Sequence, residues 1–419
     1  MGFPYNVTCS MPKMNLSLYF LSFLILIFFT SRIPSHPVSD NDASRLAGIM
    51  SIVQNSTLNI DNTQYGLIGD RVVYKEKSYS SKPPFLNFTI GHFIKAVFLL
   101  KPVLIQNQVA IYKIATFLTN VIPILIIFIV TKRITNLNSS LFLIFGTLIF
   151  TYSQFLTNHL LEATMHLLLY YFLIQKKQTG LQSLAIGVLL SLILAIDLTG
   201  GIIVIPITFF WYLYANKRKI NLRNIFIIFI SSIPITLMHF TLNYIQFETL
   251  LPPQLLPNIY LSYENSKWLN NKQGMELLDD PILVRFFNYT FGTYGLFLYQ
   301  PILLFSFYLK KFDKKWIFII AITLGYIIFN TIMQKNYGGS AFGPRRFLSL
   351  IPLLYIFSVE NINQLKNKMN VSKKILTLIG IMYAITIYIS IIGYQNPWNN
   401  YACKIGTKTI YSPLICNLK

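Results

Sequence analysis

Residues 121–133 read VIPILIIFIVTKR, an apolar run closed by the basic pair Lys132-Arg133. Crossing the hydrocarbon core of a bilayer takes about 20 apolar helical residues, flanks included. The pattern repeats in both directions along the chain. The runs 16–30 and 225–233 are equally apolar. Further basic clusters (Lys176-Lys177; Lys217-Arg218-Lys219 with Arg223; Lys310-Lys311 with Lys314-Lys315; Lys366, Lys368 and Lys373-Lys374) each fall between two apolar stretches. Of the 419 residues, 54% are hydrophobic and 12% charged, about half the charged share of a soluble domain. The chain therefore reads as an all-α polytopic membrane protein. The formal net charge of +21 comes with no basic groove or stacking motif, so nucleic acid is not expected as a partner.

Cytoplasmic loops collect Lys and Arg because translocating them is disfavoured. Placing the five clusters inside gives eleven spans, near 15–31, 106–131, 139–156, 160–175, 181–197, 198–215, 224–245, 286–309, 316–334, 344–360 and 375–394. The N-terminus is then cytoplasmic and the C-terminus extracytoplasmic. The segment 84–101 is apolar but carries Asn87, His92 and Lys95. Counted as a span it would throw every later basic loop outside, so it is expected to lie on the outer face as an interfacial helix. Run 16–30 ends in Thr30-Ser31-Arg32-Ile33-Pro34 with no small-residue cleavage pattern, which reads as a retained helix. Residues 1–419 then form a single transmembrane domain of a plasma or inner membrane. It carries long outer loops at 32–105 and 246–285 and an outer tail at 395–419. On this topology Asp313 and Glu360 are the only acidic residues inside; the other twelve of the 14 lie at or beyond the outer face. Chemistry of both signs gathers on one side, which favours an outward-facing active site over a transport path.

The first outer loop opens with Ser39-Asp40-Asn41-Asp42-Ala43-Ser44-Arg45, followed by Leu46, Ile49, Met50 and Val53 at helical spacing. Ser39 or Asp40 can cap that helix, and capping alone would explain both acids. The loop closes with Tyr79-Ser80-Ser81-Lys82-Pro83-Pro84-Phe85, where a proline suits the first position of the interfacial helix. Lys82 thus stands beside a helix N-terminus, whose unpaired N–H groups favour an anion. The same arrangement recurs in Gly338-Gly339-Ser340-Ala341-Phe342-Gly343-Pro344-Arg345-Arg346. An arginine pair at the outer end of a span runs against the positive-inside bias. Interfacial snorkelling would account for Lys335 better than for this pair. Two cationic helix starts facing one acidic loop suit a lipid phosphate. His159 and Glu162, one turn apart, and Asp197 before Gly200-Gly201 are secondary candidates, as is Arg45; ionisable groups at membrane depth lean functional.

Four motifs in this order resemble those of GT-C glycosyltransferases: Ser39–Arg45, the Tyr79–Pro84 closure, Gly295-Leu296-Phe297-Leu298-Tyr299-Gln300-Pro301 and Gly343-Pro344-Arg345. The branch is the one akin to protein O-mannosyltransferases and lipid A aminoarabinose transferases, and the resemblance covers roughly residues 15–360. It implies a multi-span enzyme that takes sugar from a polyprenyl-phosphate donor, with a loop-one acid in catalysis. Some relatives show adjacent acids there, whereas Asp42 is followed by Ala43 and Asp40 stands two residues earlier, so the choice of base between Asp40 and Asp42 is open. The expected chemistry is a hexosyl or pentosyl transfer. Asp42 takes the proton of an acceptor hydroxyl, Asp40 supports it, and Lys82, Arg345 and Arg346 hold the donor phosphate. No cofactor is expected, and no ligand cluster calls for a divalent metal. The acceptor can be a glycan, a lipid or a protein.

Two other classes compete. A carrier or flippase for a lipid-linked saccharide would show inverted repeats and matched broken helices, and none is seen. A polysaccharide polymerase or ligase would carry its largest outer loop late in the chain. Cys403 and Cys416 share the outer tail, where a disulfide is permitted by compartment but free thiols are equally open; Cys9 falls inside.

Overall fold

The computed structural model describes residues 16–419 apart from 176–178, 216–220, 257–258, 260–262, 264–279, 309–313, 335–336, 339–340, 367–372, 399–401, 406–407, 412 and 417–419. The basic residues at 176–177, 217–219, 310–311, 335 and 368, the acids at 264, 276, 279 and 313, and Cys9 lie outside the described residues.

Among the described residues, four helices are long and apolar enough to cross a membrane: Gln108–Ile134, Leu222–Phe247, Lys314–Met333 and Lys373–Gln395. Shorter apolar helices lie at Leu16–Ser31, Leu137–Gly146 and Gly180–Ile196. Apolar side chains point outward along whole faces, such as Phe226, Phe229 and Leu237 on one helix and Ile381, Ile385 and Tyr388 on another. Contiguous bare surface of that kind is unstable in water and stable in lipid. One contiguous hydrophobic core runs from Leu18 in the first helix to Ile392 in the last long one.

Three expected spans are interrupted: 139–156 is a helix Leu137–Gly146, a break at the extended Thr147 and a short helix Leu148–Thr151 that ends in a loop, and two others break as follows. The stretch 286–309 is a helix Ile282–Thr290, a short helix Leu296–Tyr299 and a 3-10 turn Pro301–Phe307. Pro301 lacks the N–H that a continuous α-helix needs. Likewise a 3-10 turn, Arg345–Leu350, precedes the helix Ile351–Lys366. The structure is also not purely helical. Among the described residues two small antiparallel hairpins appear: β1 (Arg71–Tyr74) with β2 (Lys77–Ser80) between residues 55 and 84, and β3 (Ala402–Ile405) with β4 (Lys408–Tyr411) in the C-terminal segment. Lys75 and Glu76 turn the first hairpin with both φ positive, at 49° and 65°. Asn-Gly usually serves such a turn, so its sequence signal is weak.

Two devices position the loops that carry the candidate residues. Helix α2 (Asp40–Asn55) is capped by Ser39, whose hydroxyl accepts from Asp42 N, and Leu46, Ile49, Met50 and Val53 are buried as their spacing predicts. It packs against α3 (Pro84–Phe98), the expected interfacial helix, which has Pro84 at its start. Gly91 makes the close crossing possible: a Cβ there would stand 2.6 Å from Ile52 Cβ. The second device is a π-turn, Phe117–Val121, between Gln108–Thr116 and Ile122–Ile134. Pro123 cannot donate one turn back, and the ladder widens there. The turn presents Asn120, whose amide donates to the carbonyls of Tyr152 (3.1 Å), Ser153 (3.3 Å) and Phe155 (2.6 Å). A buried side chain thereby fixes the loop 152–158.

Candidate active site

Asp42 and Asp40 separate on folding. Asp40 is exposed on the first turn of α2, whereas Asp42 is 1% exposed. Oδ2 of Asp42 accepts from Val38 N (3.1 Å) and Tyr112 Oη (2.9 Å), and Oδ1 accepts from Leu156 N (3.1 Å). Leu156 belongs to the loop that Asn120 fixes. Burial pushes the Asp42 carboxyl up to about 7, against the opposing pull of the Val38, Tyr112 and Leu156 hydrogen bonds and the charge of Arg45. A carboxylate offers about four lone-pair sites, so three donors leave one position on Oδ1.

Arg45, 4% exposed, lies one turn along α2 from Asn41. Its Nη1 donates to the Asn41 carbonyl (3.2 Å) and side chain, and its Nη2 donates to Asn158 Oδ1 (2.5 Å). Asn158 in turn donates to Asp197 Oδ2 at 3.2 Å. Neither Asn158 nor Tyr112 stood out in the sequence, because an isolated Asn or Tyr in an apolar chain carries no spacing signal.

Lys82 is ion-paired. Its Nζ contacts Asp70 Oδ2 at 2.5 Å, and Ser81 Oγ donates to Asp70 Oδ1 at 2.6 Å. Asp70, unremarkable in the sequence, is brought to Lys82 by the hairpin β1–β2. Burial draws the Lys82 ammonium down to about 8, aided by the positive charges of Arg45 and Arg345 and opposed by Asp70. Burial would raise Asp70, but the Lys82 charge and hydrogen bond and the Ser81 hydroxyl outweigh it and hold the carboxyl below its usual range. The segment after Phe247 also grips this corner: Gln254 Nε2 donates to the Ser81 carbonyl (2.7 Å) and Tyr263 Oη to the Gly69 carbonyl (2.7 Å).

The third element is the loop before Arg345. Gly343 has φ of +72°, and a Cβ there would sit 2.6 Å from the Tyr299 ring, so glycine is required twice over. Tyr299 comes from the Gly295–Pro301 motif, which gives that motif a packing role. Tyr152 Oη donates to the Phe342 carbonyl (2.7 Å), and Arg345 N donates to the Gly343 carbonyl (2.8 Å). Pro344 caps a 3-10 turn and not the expected α-helix start. Arg345 Nε and Nη1 are buried with no hydrogen-bond partner among the described residues. Its charge is felt at Lys82, and those of Arg345, Arg45, Arg346 and Lys82 are all felt at His159. The four cations therefore share one neighbourhood with Asp42 and Asp70.

His159, Glu162 and Asp197 come together, each offering a ligand atom with all three within 4.8 Å of one another. Asp197 is the most engaged of the three, and Glu162 accepts from one tyrosine. Tyr326 Oη donates to Glu162 Oε1 (2.5 Å), and Asp197 Oδ1 accepts from Thr199 N (2.9 Å) and Gly200 N (3.3 Å). The positive charges of Arg345, Arg45, Arg346 and Lys82 all act on His159, a field that opposes a further positive ion there. Cys416 in the tail is disulfide-bonded, and its helical turn packs against β3, the strand that contains Cys403.

No protein-family model and no curated protein matches the chain. Solved structures do. The Archaeoglobus fulgidus oligosaccharyltransferase in complex with Zn and sulfate superposes with a TM-score of 0.51 at 16% identity, over 89% of this chain and 53% of that one. The oligosaccharyltransferase AglB of the same organism, in complex with an inhibitory peptide and a dolichol-phosphate, gives 0.51 at 12% identity, over 90% and 55%. ArnT from Cupriavidus metallidurans bound to undecaprenyl phosphate gives 0.49 at 13%, over 90% and 69%. The chain spans about half the length of the oligosaccharyltransferases it matches. The chain shares the GT-C fold of those two oligosaccharyltransferase structures.

Proposed function

We propose that the chain is a GT-C glycosyltransferase that moves a hexose or pentose from a polyprenyl-phosphate donor to an acceptor hydroxyl at the extracytoplasmic face, with inversion. The observation that carries this reading is the meeting of a buried carboxylate, Asp42, with Arg45, Lys82 and the unpartnered donors of Arg345 on three different outer segments. A structure of the same fold holds a dolichol-phosphate, which is chemically the leaving group this cluster suits.

The donor phosphate lies against Arg345, Lys82 and Arg346. The acceptor hydroxyl enters at the open position on Asp42 Oδ1. Its oxygen attacks the anomeric carbon as the bond from that carbon to the phosphate oxygen breaks. The electron pair leaves on the phosphate, and the hydroxyl proton passes to Asp42. Preorganised cations stabilise the growing phosphate charge, and Tyr112 and the Val38 and Leu156 amides hold the base in place. Asp40 keeps a supporting role at the N-terminus of α2. His159, Glu162 and Asp197 line the neighbouring wall through Asn158.

Membranes containing the protein, given radiolabelled polyprenyl-phosphate sugars, are expected to move label into an acceptor fraction. Its rate should follow a bell against pH. Below about 7 Asp42 gains a proton and loses its function as base; above about 8 Lys82 loses its charge. Label that stays on the donor across a full set of sugars, while lipid-linked saccharide crosses the membrane, would establish a carrier instead.

The topology proposed with this function has eleven spans, the N-terminus inside and the C-terminus outside. The disulfide at Cys416 supports an oxidising location for the tail. Single cysteines placed in 60–75 and 265–280 should label from outside intact cells, and those in 217–223 should not. Labelling at 217–223 overturns the orientation.

A further inference from the structure

Beyond the Arg345 loop, residues 397–398 run antiparallel to Ala341-Phe342. Ala341 and Trp398 form a β-bridge, and Phe342 N donates to the Pro397 carbonyl at 3.1 Å. That pairing sets the Trp398 backbone beside the loop that ends in Arg345. The Arg345 guanidinium carbon lies 4.6 Å from the centre of the Trp398 ring. Phe155 meets the same indole edge-on, with centroids 5.8 Å apart and planes at 84°, and the Phe155 carbonyl is itself held by Asn120 at 2.6 Å. The indole is therefore fixed from its backbone and from its edge.

An arginine has a long stem that loses considerable rotamer freedom on being ordered. A carboxylate partner would order it but would consume its N–H groups and cancel its charge. An aromatic face attracts the cation and leaves every donor available. Nε and Nη1 of Arg345, buried and without a hydrogen-bond partner among the described residues, are in that condition. Lys82 shows the contrasting solution, since its charge is already balanced by Asp70. We propose that Trp398 is a positioning residue that holds the Arg345 guanidinium for the phosphate group of the lipid donor without occupying its donors. The inference rests on the phosphate reading of Arg345 given above, and it makes the C-terminal segment part of the site.

The test uses the purified full-length protein in detergent, undecaprenyl phosphate as probe and undecaprenol as the uncharged control. Trp398→Leu keeps apolar bulk and removes the π face; Trp398→Phe keeps a face. Cation–π attraction to a half-buried ring such as Trp398, between the exposed and desolvated limits, is worth about a tenfold change in affinity. Trp398→Leu should weaken undecaprenyl phosphate binding by about that factor, and Trp398→Phe should restore most of it. Binding of undecaprenol should not change. In an Arg345→Ala background, Trp398→Leu should have no further effect. A tenfold loss that persists in that background, or a Trp398→Leu protein that binds like wild type while Arg345→Ala does not, overturns the positioning role alone. An Arg345→Ala protein that binds like wild type overturns the phosphate reading itself.

Discussion

Asp42→Asn is expected to lower the transfer rate by about 10²–10⁴-fold, the usual contribution of a general base, with donor binding retained. An amide cannot take the acceptor proton. It also sets an NH₂ against one of the donors that now serve the carboxylate, from Val38, Tyr112 or Leu156. Some loss of stability should therefore accompany the loss of rate, because a buried donor left unmatched costs about 1–3 kcal/mol. Thermal unfolding of the purified variant separates the two effects, and donor binding shows whether the site still assembles. Asp40→Asn serves as the comparison. Asp40 is exposed on the first turn of α2, where its charge favours the helix N-terminus, and its loss should cost only a small factor. If Asp40→Asn is the inactive variant and Asp42→Asn turns over normally, the base has been assigned to the wrong carboxylate. If both remain active, loop one is not catalytic and a carrier of lipid-linked saccharides becomes the better reading.

Arg345→Ala should cost the next largest factor, about 10²–10³ in rate, in the range found when one preorganised donor to a developing anion is removed. Arg345→Lys is the more informative variant. Lysine keeps the charge but not the planar guanidinium that can stack on Trp398 and donate through several N–H groups, so it should recover only part of the loss. Lys75→Ala is a suitable control, since Lys75 is exposed and pairs with Glu248 at 2.5 Å on the hairpin turn. An exposed pair of that kind contributes little, and its loss should leave the rate near wild type. Equal, small effects at Arg345 and Lys75 would reduce Arg345 to an interfacial anchor. Steady-state rates at saturating and limiting donor distinguish lost donor binding from lost stabilisation of the leaving phosphate.

Lys82 and Asp70 show where sequence reasoning stops. Lys82 stands out because Pro83-Pro84 marks a helix start, a local signal. Its partner lies twelve residues back, across a hairpin whose turn, Lys75-Glu76, lacks the glycine that announces such turns. A lysine at a helix start therefore reads as an open anion site until the hairpin is seen to place a carboxylate on it. Arg345 is the opposite case. The sequence offered a helix start, the structure shows a 3-10 turn, and the guanidinium is still left with open donors because Trp398 orders it.

The sequence by itself determined the membrane class, the cap and buried face of α2, and the helix beginning at Pro84. Each of these depends on interactions within a few residues: apolar length against bilayer thickness, a hydroxyl satisfying an N–H two or three positions on, a proline that starts a helix. The tertiary structure alone decided that Asp42 is buried and Asp40 exposed, that Tyr112 and Leu156 are the partners of Asp42 from 70 and 114 residues away, and that His159, Glu162 and Asp197 meet. It also decided that the tail supplies Trp398 to Arg345. Those contacts join segments whose own sequences are satisfied without them. They exist because helix packing brings polar groups to one corner of the fold, where burial raises the cost of leaving any of them unmatched.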